Sequence, residues 1–143
     1  MALVDRRTGI EFIDEQECLD LLDREVFGRL AVMDGGNPLI LPINYALDGR
    51  YVVFRSGPGT KVDARNRGAC FEIDGHDPDL RRGWSVVIRG RIEEITVHHE
   101  GLFDRLAALP QPWAQGDKPH LMRLVPASIQ GRRVTGNELP PPP

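Results

Sequence analysis

The sequence predicts a mainly β protein, a small β-barrel of six to seven mostly antiparallel strands with flanking helices. Three observations carry this. Alternating or continuous apolar runs recur as "RLAVM", "PLILPINYAL", "YVVFRS" and "ACFEI". Tight-turn signals, "DGGN" and "DGR", separate the first of them and call for hairpins. The run "GWSVVIRGRIEEITV" is too long and too β-branched for an ordinary hairpin arm, and Gly90 near its centre would let it bend as barrel strands do.

In chain order, residues 14–25 read as a helix. Asp14 can cap it, Glu17 completes a capping-box pattern, Cys18, Leu21 and Leu22 form an apolar face, and Phe12 with Ile13 suit a hydrophobic staple. Strands follow from Gly28. Pro42 falls inside the second run, where its missing N–H cannot join a ladder, so that strand belongs at an edge, at a bulge, or against a ligand. "HHEGLFDRLAAL" reads as a second helix ended by Pro110, and "HLMRLVPASIQGRRVT" returns to strand, broken near Pro126. Residues 1–135 form one expected domain, large enough for a real core, and the proline-rich residues 136–143 an expected disordered tail.

Composition excludes several functions. With 18 basic and 21 acidic residues interspersed and a net charge of -3, no one-signed stripe is available to track nucleic acid or an anionic membrane. No apolar run approaches the ~20 residues of a membrane span, and a cytoplasmic location is expected. Cys18 and Cys70 have neither CxxC nor Cys/His spacing and read as small core residues. His76, His98, His99 and His120 show no metal-site pattern, with His98 and His99 at a helix start, so no metal is expected. Asp77, Asp79, Glu93 and Glu94 read as solvated surface acids. No GxSxG elbow offers a hydrolase nucleophile.

The turn "RSGPGTK" is the most chemical segment. It is no Walker motif, because the lysine follows the hydroxyl. Arg55, Ser56, Thr60 and Lys61 nevertheless supply two cations and two hydroxyls, and Gly57 and Gly59 leave backbone N–H groups open, which suits a phosphate dianion. A helix beginning at Thr60 would add its dipole. Residue types alone leave a second reading open, in which Arg55 and Lys61 are solvated turn charges.

The ordered pieces "GRLAVMDGGNPLILPINYALDGRYVVFRSGPGTK", "CFEID" and "GWSVVIRGRI" resemble the FMN-binding split-barrel family related to pyridoxamine 5'-phosphate oxidase, from about residue 17 to 134. The resemblance is closest to its small branch, which includes nitroimidazole-resistance proteins. It implies a homodimer with FMN in a groove between the chains. Arg55, Ser56, Thr60 and Lys61 would hold the phosphate, and Pro42, Ile43, Asn44 and Tyr45 would lie along the isoalloxazine. Trp84 and Ser85 would reach across the dimer, and Trp113 would approach flavin or substrate.

What the resemblance implies in activity is an FMN-dependent oxidoreductase acting on a small organic substrate, with NADH or NADPH as a further partner. The alternative from another class is a non-enzymatic flavin-binding module. Related split barrels also hold a deazaflavin or haem, but the turn here looks more like an FMN phosphate clamp. True pyridoxamine 5'-phosphate oxidases end in a tryptophan- and arginine-containing segment that "MRLVPASIQGRRV" lacks, so that activity is not expected.

Overall fold

The structure is a computed structural model that describes residues 3–5, 7–59, 61, 64–96, 99, 101, 113, 116 and 118–135. Among the described residues, nine strands and the helix α1 follow in the order β1 (Leu3–Asp5), β2 (Ile10–Ile13), α1 (Glu15–Arg24), β3 (Phe27–Asp34), β4 (Asn37–Asn44), β5 (Ala46–Asp48), β6 (Tyr51–Ser56), β7 (Gly68–Asp77), β8 (Arg82–Ile95) and β9 (His120–Val134). Apart from His99 and Gly101, the expected second helix lies outside the described residues, as does the proline-rich tail. Among the described residues no helix is long and apolar enough to cross a membrane.

All named strand pairs are antiparallel. The sheet runs β1-β2-β9-β8-β7-β3-β4, and β6 pairs with both β5 and β9. The long strand β9 therefore serves two edges, its first half against β6 and its second against β2. The path is open at β4, which touches β6 without pairing. A barrel closed everywhere else is split there.

The local chemistry explains most elements. The β3–β4 hairpin turns on Gly35 and Gly36, whose φ values of 57° and 84° are the conformation a two-residue turn needs and a side chain resists. Pro42 lies on β4, the end strand, where a missing N–H costs no ladder bond on the open side. Asp14 caps α1 by accepting from the Glu17 N–H at 2.9 Å. Glu17 does not return the bond, and its carboxylate meets Arg133 instead.

The N-terminal reading needs correction. Phe12 and Ile13 belong to β2, where Ile13 points into the core and Phe12 outward beneath the Arg132 guanidinium. The second apolar run is two strands, β4 and β5, broken at Tyr45. Near Pro126 the strand does not break. Arg89 pairs with Ser128 and Gly90 with Pro126, so Ala127 is extra and forms a bulge that absorbs the proline.

Inward residues of each strand build the core: Leu30 and Val32, Phe54, Phe71 and Ile73, Val86 and Ile88, Ile92, Met122 and Leu124. Cys18, Leu21 and Leu22 of α1 close one end of it. Each large apolar side chain so buried contributes about 1.5–3 kcal/mol. Burial raises the Cys18 thiol to about 11, helped by the acidic first turn of α1, so it stays neutral. Cys70 is only half-buried and lines an apolar cavity of about 340 Å³ with Ala31, Met33 and Pro38. Val53, Ile95 and Leu121, facing the other way, form a separate small cluster.

Candidate functional site

Strand β6 delivers the chain to the turn at residues 57–59. Alternation sends Phe54 and Ser56 to the core side and Arg55 to the opposite face, so the expected clamp is divided. Ser56 is 1 % exposed and donates its hydroxyl to the Gly57 carbonyl at 2.7 Å. Gly59 takes φ 132°, which glycine alone adopts freely, and a Cβ there would meet nothing within 4 Å. Thr60 lies outside the described residues.

Lys61, directly after the turn, is half-buried. Burial holds its ammonium below the usual 10.5, and the nearby Lys118 charge pushes the same way. Among the described residues, neither lysine side chain has a carboxylate or hydrogen-bond partner, nor does the Arg55 guanidinium. Sequence reasoning missed Lys118. Its only signal was a position just ahead of a strand whose partner was then unknown.

Beside this turn, His120 stands opposite Ser56, and its Nδ1 lies 3.4 Å from a Glu94 oxygen that shares the carboxylate with Arg65. On the other face, Glu93 receives Arg123 Nε at 3.2 Å and His99 Nε2 at 2.8 Å. The Thr96 N–H donates to His99 Nδ1, which leaves Nε2 to carry the proton toward Glu93. Burial pulls the Glu93 carboxyl up, but the bonds from His99 and Arg123 outweigh it and hold it below the ordinary range. The two glutamates expected as solvated surface are therefore partly buried pairing sites that pin the ends of β8 and β9. His98 lies outside the described residues.

The "PINY" segment obeys the same alternation. Pro42 and Asn44 face outward, while Ile43 and Tyr45 turn into the core. Asn44 accepts the Trp113 N–H at 2.8 Å and directs Nδ2 to the Val26 carbonyl at 3.4 Å. Trp113 stacks on Phe27 with centroids 5.3 Å apart and planes within 4°, yet is 68 % exposed, so its second face is open. Asn44 and Trp113, far apart in sequence, thus form one surface.

Tyr45 stands elsewhere. It is 2 % exposed, meets Phe71 edge-on at 4.8 Å, and donates to the Leu22 carbonyl at 2.6 Å, satisfying an acceptor in the last turn of α1. Burial, with Glu25 and Asp23 near, pushes its phenol up, so it remains a donor at neutral pH. Tyr45→Phe is expected to cost about 1–2 kcal/mol in denaturant unfolding, because a buried carbonyl loses its donor, while flavin binding stays unchanged. A loss of flavin affinity without loss of stability would return Tyr45 to the ring.

Trp84 and Ser85 are not brought to the turn or to Asn44. The Trp84 indole lies over Gly75, where an added Cβ would sit 2.5 Å from Nε1, and it lines a cavity of about 400 Å³ with Arg82, Arg133 and Thr135. Ser85 lines another of about 230 Å³ with Val87, Arg89, Gln130 and Arg132. On the same outward face, Arg29 reaches Glu72 at 2.5 Å and Asp74 at 2.7 Å. Burial raises the Glu72 carboxyl, and the hydrogen bond from Glu72 lowers that of Asp74. No group of three metal-ligating side chains occurs among the described residues.

Comparison with known proteins agrees with this architecture. An FAD-binding protein from Mycobacterium smegmatis is 31 % identical, with TM-score 0.71 over 86 % of this chain and 97 % of that one. An FAD-binding protein from Mesorhizobium loti, 24 % identical, shares the fold with TM-score 0.69 over 87 % of this chain and 97 % of its own. An uncharacterized protein of Mycobacterium tuberculosis is 28 % identical over 90 % of this chain and 88 % of its length. The family model described as pyridoxamine 5'-phosphate oxidase matches residues 14–133. The chain, with its split antiparallel barrel and its cationic turn after β6, belongs to the pyridoxamine 5'-phosphate oxidase family.

Proposed function

We propose that this protein is a flavin-dependent oxidoreductase that holds FMN and acts on a small organic substrate or a nicotinamide. The observation that carries the reading is Lys61, a half-buried ammonium with no carboxylate partner among the described residues, at the end of an open glycine turn. That a neighbour 31 % identical bears the name of an FAD-binding protein supports a flavin. The residues fit such a group. Lys61 suits its phosphate. Asn44 keeps an amide hydrogen and a lone pair for the polar edge of a ring, and the free face of Trp113 suits a planar partner.

When bound, the flavin supplies the electron exchange with substrate, and the chain supplies binding and orientation. This division explains why an oxidoreductase needs no acid–base pair at Asn44. As the family resemblance implies, two copies complete the groove, with Trp84 and Ser85 at the contact.

The test is the visible spectrum of purified protein after incubation with excess FMN or FAD and desalting, with light scattering on the same sample. A retained flavin spectrum from a particle of twice the chain mass, bleached by NADH, NADPH or an organic donor, is the expected result. Retention of FAD alone would move the cofactor from FMN to the dinucleotide. A colourless protein would overturn the reading, and bound flavin with no turnover would leave a non-enzymatic carrier.

A further inference from the structure

Lys118 precedes His120 by two residues, and the β6–β9 register sets His120 opposite Ser56. A chain running on from that pair carries Lys118 alongside residues 57–59 and into the field of Lys61. Both lysines are half-buried and unpaired among the described residues, whereas Arg29, Arg50, Arg65, Arg123 and Arg133 each meet a carboxylate. Glu94, an acid at this end of the barrel, is already shared by Arg65 and His120.

Bringing two ammonium groups together in a partly desolvated place costs free energy twice, through repulsion and through lost hydration. Nothing among the described residues offsets either cost. A ligand of double negative charge would offset both, and the open backbone at Gly59 leaves room for it.

We infer that Lys118 is the second arm of an anion site with Lys61, built from two segments distant in sequence, and that this site takes a phosphoryl group. On the reading above, which this inference deepens, that group is the phosphate of the flavin nucleotide. The pairing also makes the site depend on the β6–β9 register, because a slip of one residue would turn Lys118 to the other face.

The test compares riboflavin, FMN and FAD binding to wild-type protein, Lys118→Met and Lys118→Arg, followed by flavin fluorescence. Lys118→Met is expected to weaken the nucleotides roughly 10-fold or more and leave riboflavin, which has no phosphate, unchanged. Lys118→Arg, which keeps the charge, is expected to retain most of the affinity. The nucleotide that wild type binds more tightly identifies the monoester or the diphosphate as the source. Equal losses for riboflavin and FMN, or no loss, would overturn the inference while leaving the flavin reading intact. If wild type binds no flavin, inorganic phosphate is titrated against side-chain NMR signals of Lys61 and Lys118. Shifts that Lys118→Met abolishes would keep the anion site and dismiss the flavin, and unmoved signals would dismiss both.

Discussion

Lys61→Ala is expected to weaken flavin nucleotide binding by roughly 10- to 150-fold, the loss of a charge-assisted contact worth on the order of 1.5–3 kcal/mol. Isothermal titration with FMN reads it directly, and an unchanged affinity would mean that the turn after β6 does not hold phosphate. The same substitution should not lower stability. Burial and Lys118 hold the folded Lys61 below its unfolded 10.5, so between the two values the unfolded chain binds more protons and stability rises with pH. Anion affinity runs the other way, falling as pH climbs through the lowered value and the amine loses its charge. Opposite pH slopes for stability and for FMN affinity, both flattened in Lys61→Ala, are the signature of a residue kept for its ligand rather than for the fold.

Gly90→Ala is expected to destabilise the protein by roughly 2–3 kcal/mol or more, lowering Tm by about 10 °C. The added Cβ would sit 2.0 Å from the Val125 carbonyl oxygen and 3.1 Å from Pro126 Cα. These are backbone atoms of the neighbouring strand, which no rotamer change can move, so β8 and β9 must part where the Ala127 bulge draws them together. Gly68→Ala is the control. Its Cβ would meet only the Gly90 carbonyl oxygen, at 3.9 Å, and should alter stability by no more than about 0.5 kcal/mol. Equal effects of the two substitutions in thermal melts would show that the close approach at Gly90 is relieved by the sheet.

Local signals were legible wherever one short segment carried its own cause. The Asp14 cap, the Gly35–Gly36 turn and the edge position of Pro42 each follow from a residue's conformational limits or a missing donor, and the structure has all three; at Gly90 it shows a close approach of β9 and a register shift. Strands β1 and β2 were not legible, because three or four residues hold no period and they are placed by their partners, β2 by β9, as in the pairing of Ile10 with Val134, and β1 by β2. Glu93 and Glu94 looked like solvated acids for the same reason, since His99, Arg123, His120 and Arg65 reach them only after folding.

The sequence by itself determined the β class, the hairpins and a glycine turn followed by a lysine after β6, because periodicity and turn chemistry act over a few residues. Only the tertiary structure decided which side chains share a space. The four residues expected along one ring are divided by strand alternation, and Tyr45 meets the core through Phe71 and the Leu22 carbonyl. Trp113 came to Asn44, and Lys118 to Lys61, through contacts between distant segments, and the energy of such a contact belongs to neither segment until strand register brings the two together.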